Sequence, residues 1–159
     1  MMKAVAAALI FAFALPAAAR EGGLEVKQAW SRPAAAGANG VGYLTLINHG
    51  KADALVAVEA TVAQKVEMHT ASMAGGVMTM SREDRVPVPA GGKVSFAPGG
   101  RHLMLVGLKR ALHPGDHVAA TLRFASGTTL KVDLPVSAAP PPQAHMDGME
   151  GMSGMEGMH

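Results

Sequence analysis

Nine short runs of apolar or alternating residues, set between Gly, Pro, Asn and Asp, leave this chain little choice of fold. They are Leu24 to Trp30, Gly42 to Asn48, Leu55 to Glu59, Lys65 to Thr70, Val77 to Ser81, Lys93 to Phe96, His102 to Leu108, His117 to Phe124 and Thr129 to Val136. Each has strand length, and residues i and i+2 of a strand share a face. Beyond residue 19, no run of ten or more residues repeats its apolar positions at the helical period. The spacing predicts an all-β domain, an antiparallel sandwich or barrel.

The first nineteen residues read differently. Lys3, the apolar run Ala4 to Leu15, the break at Pro16 and Ala17-Ala-Ala19 form a secretory signal cleaved near Ala19. The apolar run is too short to stay in a bilayer as a spanning helix. The expectation is an exported, periplasmic domain over residues 20–137, without a membrane anchor. There is no cysteine in the 159 residues, hence no disulfide and no terminal Cys to carry lipid. Of the 14 basic residues Lys3 lies in the signal, and the other 13 nearly balance the 12 acidic ones, which leaves no footprint for nucleic acid or an anionic surface.

Four metal-capable side chains stand at fixed intervals: His69, Met80, His102 and Met104. Thioether sulfur is a soft donor that selects Cu(I) and offers little to Zn, Mg or Ca, while imidazole serves copper in either oxidation state. His102 and Met104, two apart in a strand, can reach one ion together while Leu103 and Leu105 face the other way. Met78 and Met80 share a face by the same rule, so Met78 is either a substitute ligand or core filler. The segment Ala71 to Gly76 reads as a hairpin turn bringing His69 and Met80 into register, with Met73 in the turn as a solvated residue or transient ligand. Pro98-Gly-Gly100 punctuates the chain before His102, which would gather the donors at strand ends on an exposed rim.

The interval H-x10-M-x21-H-x-M is complete, and with Gln28-Ala-Trp30, Gly42-Tyr-Leu-Thr-Leu-Ile-Asn48, Glu67-Met-His69, Gly76-Val-Met-Thr-Met80 and Pro98 to Lys109 it resembles the periplasmic copper(I) chaperone family often called PCuAC. The resemblance covers residues 24 to 137. It implies a cupredoxin-like, antiparallel Greek-key β-barrel or sandwich that holds Cu(I) on His69, Met80, His102 and Met104. It also implies delivery to the copper centre of cytochrome c oxidase, directly or through a thiol-bearing Sco-type copper protein. A cupredoxin's electron transfer cannot follow, because a blue-copper site needs a Cys thiolate.

Two roles are open to Trp30: packing in the core together with Tyr43, or shielding copper from water. His49, His113 and His117 sit in turn signatures and read as structural; Asp116 beside His117 has no nucleophile to serve.

Beyond the domain, Ala138 to Ala144 form a proline-rich linker, stiff and extended. Residues 145–159 then place Met146, Met149, Met152, Met155 and Met158 at every third position, with glycines between and His145 and His159 at the ends. Such a tail cannot build a core and is expected to be disordered without metal. Its thioethers suit Cu(I), and its histidines with Asp147, Glu150 and Glu156 suit Cu(II), making a second copper site. The favoured function is a copper chaperone; the competing one is a periplasmic copper sink for tolerance. No hydrolase motif is present, and the mature amino terminus lacks the histidine of an oxygen-activating copper brace, so an enzyme is not expected.

Overall fold

In β3 (Gly40–Asn48) the even-numbered residues from Gly40 to Asn48 are all buried, whereas Val41, Thr45 and Ile47 are only partly covered. One edge of alternating side chains faces a core and the other faces out. The same logic repeats through the computed structural model, which describes residues 20–142. The chain runs through β1 (Arg20–Glu21), β2 (Leu24–Ser31), β3, β4 (Asp53–Ala60), β5 (Ala63–Ala74), β6 (Val77–Glu83), β7 (Val86–Val88), β8 (Lys93–Phe96), β9 (His102–Leu108), β10 (His117–Phe124) and β11 (Thr129–Pro135). No helix occurs among the described residues.

Two antiparallel sheets face each other. The larger has the order β1-β2-β3-β9-β5-β6, with β8 added on β3, and the smaller has the order β11-β10-β4-β7. The chain crosses between sheets at β3–β4, β4–β5, β6–β7, β7–β8 and β9–β10, so β9 returns beside β3 in Greek-key fashion. Between the sheets lie Leu44, Leu46, Leu55, Leu103, Leu105, Leu122 and Leu134, all at 2% exposure or less. Burying each such side chain contributes about 1.5–3 kcal/mol.

All nine expected strands are present, and two more appear. β7 is Val86-Pro87-Val88, whose proline argues against a strand; it lies on the edge of the smaller sheet, where a missing N–H does no harm. The backbone of β1 folds back on β2 through Gly22 and Gly23, both at positive φ. The signal segment, and the tail with its expected disorder and ligands His145 to His159, lie outside the described residues.

Candidate metal centre

β5 is the strand from which the site is built. Its residues 63–69 pair with β9 and its residues 68–74 pair with β6. Met68 turns inward against Leu103, so Glu67, His69, Ala71 and Met73 turn outward. On β9 the outward positions are His102 and Met104, opposite His69 and Glu67. On β6 they are Met78, Met80 and Arg82, opposite Met73, Ala71 and His69. All four expected donors therefore occupy one outer face, on three adjacent strands.

The two imidazoles stack with centroids 5.7 Å apart and planes at 28°. With a metal–nitrogen bond of about 2.0–2.1 Å, the value for zinc, two rings sharing one ion sit about 5–6 Å apart between centres. The observed centroid spacing falls within that range. Exposure rises outward from the buried His102 (7%) to Met80 (55%), so the donor set is open on the β6 side.

Two expectations need correction. The turn is shorter than Ala71 to Gly76: β5 continues to Ala74, and Gly75 and Gly76 alone, at φ 58° and 76°, make a two-residue turn. That shifts the ladder, so Met80 faces Ala71 and lies diagonal to His69, with Arg82 directly opposite. The donors also do not gather at strand ends: only His102 begins its strand, while His69 and Met80 sit inside theirs.

Neighbouring groups orient the donors. Glu67 Oε2 lies 2.9 Å from His69 Nε2, and the carbonyl of Gly100 lies 3.3 Å from His102 Nδ1. Asn39 approaches the Met104 sulfur with Nδ2 at 4.0 Å and accepts the Gly107 N–H at 3.1 Å. On the back of the hairpin Arg101 grips Glu83 with Nε and Nη2 at 2.8 and 3.1 Å, while the Ala71 N–H donates to Gly100. These contacts tie the loop before His102 to β5 and β6. Glu67 was readable by alternation, being two residues from His69; Asn39, 65 residues from Met104, left no sequence signal.

Hydrogen bonds from Lys65 and then His69, with the charge of Arg82 nearby, hold the Glu67 carboxyl down from 4.5 to about 2. A depressed carboxylate stabilises the fold above its unfolded value and loses that contribution on protonation. Glu67 therefore contributes fully above pH 4.5 and ceases to as pH falls towards about 2. Metal-free Glu67→Gln protein is expected to lose less stability than native protein across that window in urea titrations at stepped pH. Equal losses would show an ordinary carboxyl.

Trp30 is buried at 3%, yet it lies outside the core cluster between the sheets. Between Lys27 and Trp30 a bulge, with Gln28 at φ 53°, inserts one extra residue and turns Trp30 to the outer face opposite Tyr43. The rings lie 5.0 Å apart, with the Arg32 guanidinium 5.8 Å from each. Tyr43 is two residues along β3 from Val41, the partner of Met104, so the aromatic pair shares the face of the donor set. Pro140 and Pro141 line the recess beside Trp30, and the Ser137 N–H donates to the Ser31 carbonyl. The start of the proline stretch lies against the sandwich.

The remaining histidines take structural partners. His49 Nε2 is 2.8 Å from Glu25, and His117 Nδ1 is 2.6 Å from Asp133 on the adjacent strand. Asp116 instead accepts the His113 N–H at 2.8 Å and closes that turn. Among the described residues no three His, Cys, Asp or Glu side chains group as a metal cluster, which leaves the mixed nitrogen–sulfur face as the candidate.

Residues 24–136 match the family described as "Putative lipoprotein LpqE-like". The chain belongs to the LpqE-like family. A curated relative, "Putative lipoprotein Lxx21020" of Leifsonia xyli subsp. xyli, is 34% identical over 116 residues, 72% of this chain and 69% of that one. Among solved structures, the apo PCuAC domain from PmoF1 superposes with a TM-score of 0.63 at 27% identity, covering 76% of this chain and 99% of that one. The solution structure of CuI-DR1885 from Deinococcus radiodurans gives 0.53 at 30% identity, covering 80% and 82%. This LpqE-like chain is thus similar to a PCuAC domain and to a protein whose solution structure carries Cu(I).

Proposed function

We propose that this protein is a periplasmic copper chaperone that carries one Cu(I) on His69, Met80, His102 and Met104. One observation carries the reading: the cross-strand pair of His69 and His102 stands on a single outer face with Met104 and Met80 at its flanks. Two imidazoles and two thioethers suit a soft, singly charged ion, and the Cu(I) named for the similar domain from D. radiodurans supports the same cargo. None of the four donors carries negative charge, so the ion is held without a thiolate's strength and can pass to an acceptor that offers cysteines. The proposed acceptor is the copper-centre domain of cytochrome c oxidase or a thiol-bearing Sco-type protein. Export through the residue 1–19 signal accords with the family's lipoprotein description, although these 159 residues offer no cysteine for a lipid. No enzymatic step is assigned.

X-ray absorption at the copper edge tests the site on a chain ending after Pro142, where the tail's sulfur is gone. Two sulfur and two nitrogen scatterers are expected, and a shell without sulfur overturns the assignment. Mixing the Cu(I)-loaded protein with an apo oxidase copper domain tests delivery; metal that stays on the donor would favour the alternative role of sequestration.

The tail is the feature that favours sequestration. Met146, Met149, Met152, Met155, Met158, His145 and His159 are proposed to bind further copper, as Cu(I) on sulfur and Cu(II) on nitrogen and oxygen. Because Ser137, Pro140 and Pro141 touch the sandwich, truncation after Pro142 separates the tail from the domain cleanly. It is expected to abolish Cu(II) uptake and every Cu(I) beyond the first, with the melting temperature of the metal-free domain unchanged. Undiminished Cu(II) uptake by the short chain would remove the tail site.

A further inference from the structure

The hairpin arm made by the ends of β5 and β6 carries more sulfur than the four-donor set uses. β5 leaves β9 at His69, so beyond that point each strand of the arm has the other as its ladder partner, helped by the Ala71 hydrogen bond to Gly100. Every residue from Val77 to Arg82 is exposed. Of the five large hydrophobic side chains exposed among the described residues, four stand here: Met73 at 66%, Val77 at 63%, Met78 at 60% and Met80 at 55%. Thioethers in that setting add no core packing, rank below Thr or Val in strand preference and are open to oxidation. Their chemistry as ligands is what remains.

Register puts these sulfurs together. The Gly75–Gly76 turn closes on Ala74 and Val77, which makes Met73 and Met78 the next pair, without mutual hydrogen bonds and with Cα atoms about 4.5 Å apart. Side chains approach most closely at such pairs. Met80 follows two residues later on the same face, and it is also the outermost of the four donors described above.

We propose that Met73, Met78 and Met80 form a second Cu(I) subsite, a three-thioether set on the arm that takes the ion first and passes it inward. The proposal rests on the copper reading of the adjoining face. The transfer is a ligand exchange: bonds from copper to the sulfurs of Met73 and Met78 break, bonds to His69, His102 and Met104 form, and Met80 stays attached. Copper remains Cu(I), and the sulfurs neither gain nor lose a proton. Met80, shared by both sets, keeps the ion bound throughout.

Methionine labelled at its methyl carbon, in the full mature chain, reads both sites in one anaerobic NMR titration with Cu(I). In the His69→Ala/His102→Ala variant, Cu(I) added until the tail methyl signals stop moving is expected to shift Met73, Met78 and Met80. Unmoved Met73 and Met78 signals would overturn the arm subsite. In the native chain, Met104, which belongs to the four-donor set alone, reports that site separately, so its failure is visible without touching the arm result. A second measurement uses Met73→Leu/Met78→Leu, both at exposed positions outside the four-donor set. Transfer of Cu(I) from this variant to a dithiol chelator is expected to slow severalfold with the equilibrium affinity unchanged, and an unchanged rate would refute the relay.

Discussion

Replacing Met80 and Met104 together by leucine is expected to lower the Cu(I) affinity of the sandwich more than about 100-fold, beyond the usual cost of losing an outer partner of a ligand. Met80 is more than half exposed and Met104 faces outward on β9, so neither side chain fills the core between the sheets. Leucine is close to methionine in volume, and such swaps cost less than about 1.5 kcal/mol even in packed cores. The fold should survive while two of four donors vanish. Competition with a Cu(I) chelator on the chain ending after Pro142 gives the affinity, and thermal unfolding gives the control. An unaltered affinity with an unaltered melting temperature would remove both methionines from the site.

Leu103→Ala should produce the largest loss of stability of any single change near the site, about 2–5 kcal/mol. Leu103 is 1% exposed and lies between Gly42 on β3 and Met68 on β5. Gly42 has no side chain to fill the void, and a Cβ there would already meet Leu134 at 3.1 Å, so the neighbourhood has little freedom to collapse. Because Leu103 alternates with His102 and Met104, its burial fixes which way those donors point. Urea unfolding of the metal-free protein should show a lower midpoint with the same slope. A loss well under a kilocalorie would mean that the wall between β3 and β5 closes over the cavity.

The strand ladder was largely legible because both sheets bury one edge of each strand, and period-two patterning survives in sequence wherever that holds. It failed at Val86-Pro87-Val88, where an edge position cancels the proline's penalty, and at Ala71 to Ala74, where small and polar residues in a projecting arm carry no burial pattern. Trp30 shows a different limit. Counting by twos from Val26 puts it in the core; the extra residue at Gln28 moves it to the face shared with the histidines. A bulge is a backbone event, and Gln28 is not a residue whose type announces positive φ.

Sequence by itself determined the chemistry: two imidazoles, at least two thioethers, no thiolate, and the pairing of His102 with Met104 on one side of a strand, since that pairing depends only on alternation within four residues. Tertiary structure decided everything that requires two strands to be set against each other. The ladder between β5 and β9 places His69 opposite His102, and the two-glycine turn sets Met80 diagonal to His69 and lines Met73 and Met78 along the same face. Residues distant in sequence meet only when non-local hydrogen bonding fixes the register, and a slip of one residue would send His69 into the core and Met68 out to the face shared by His102 and Met104.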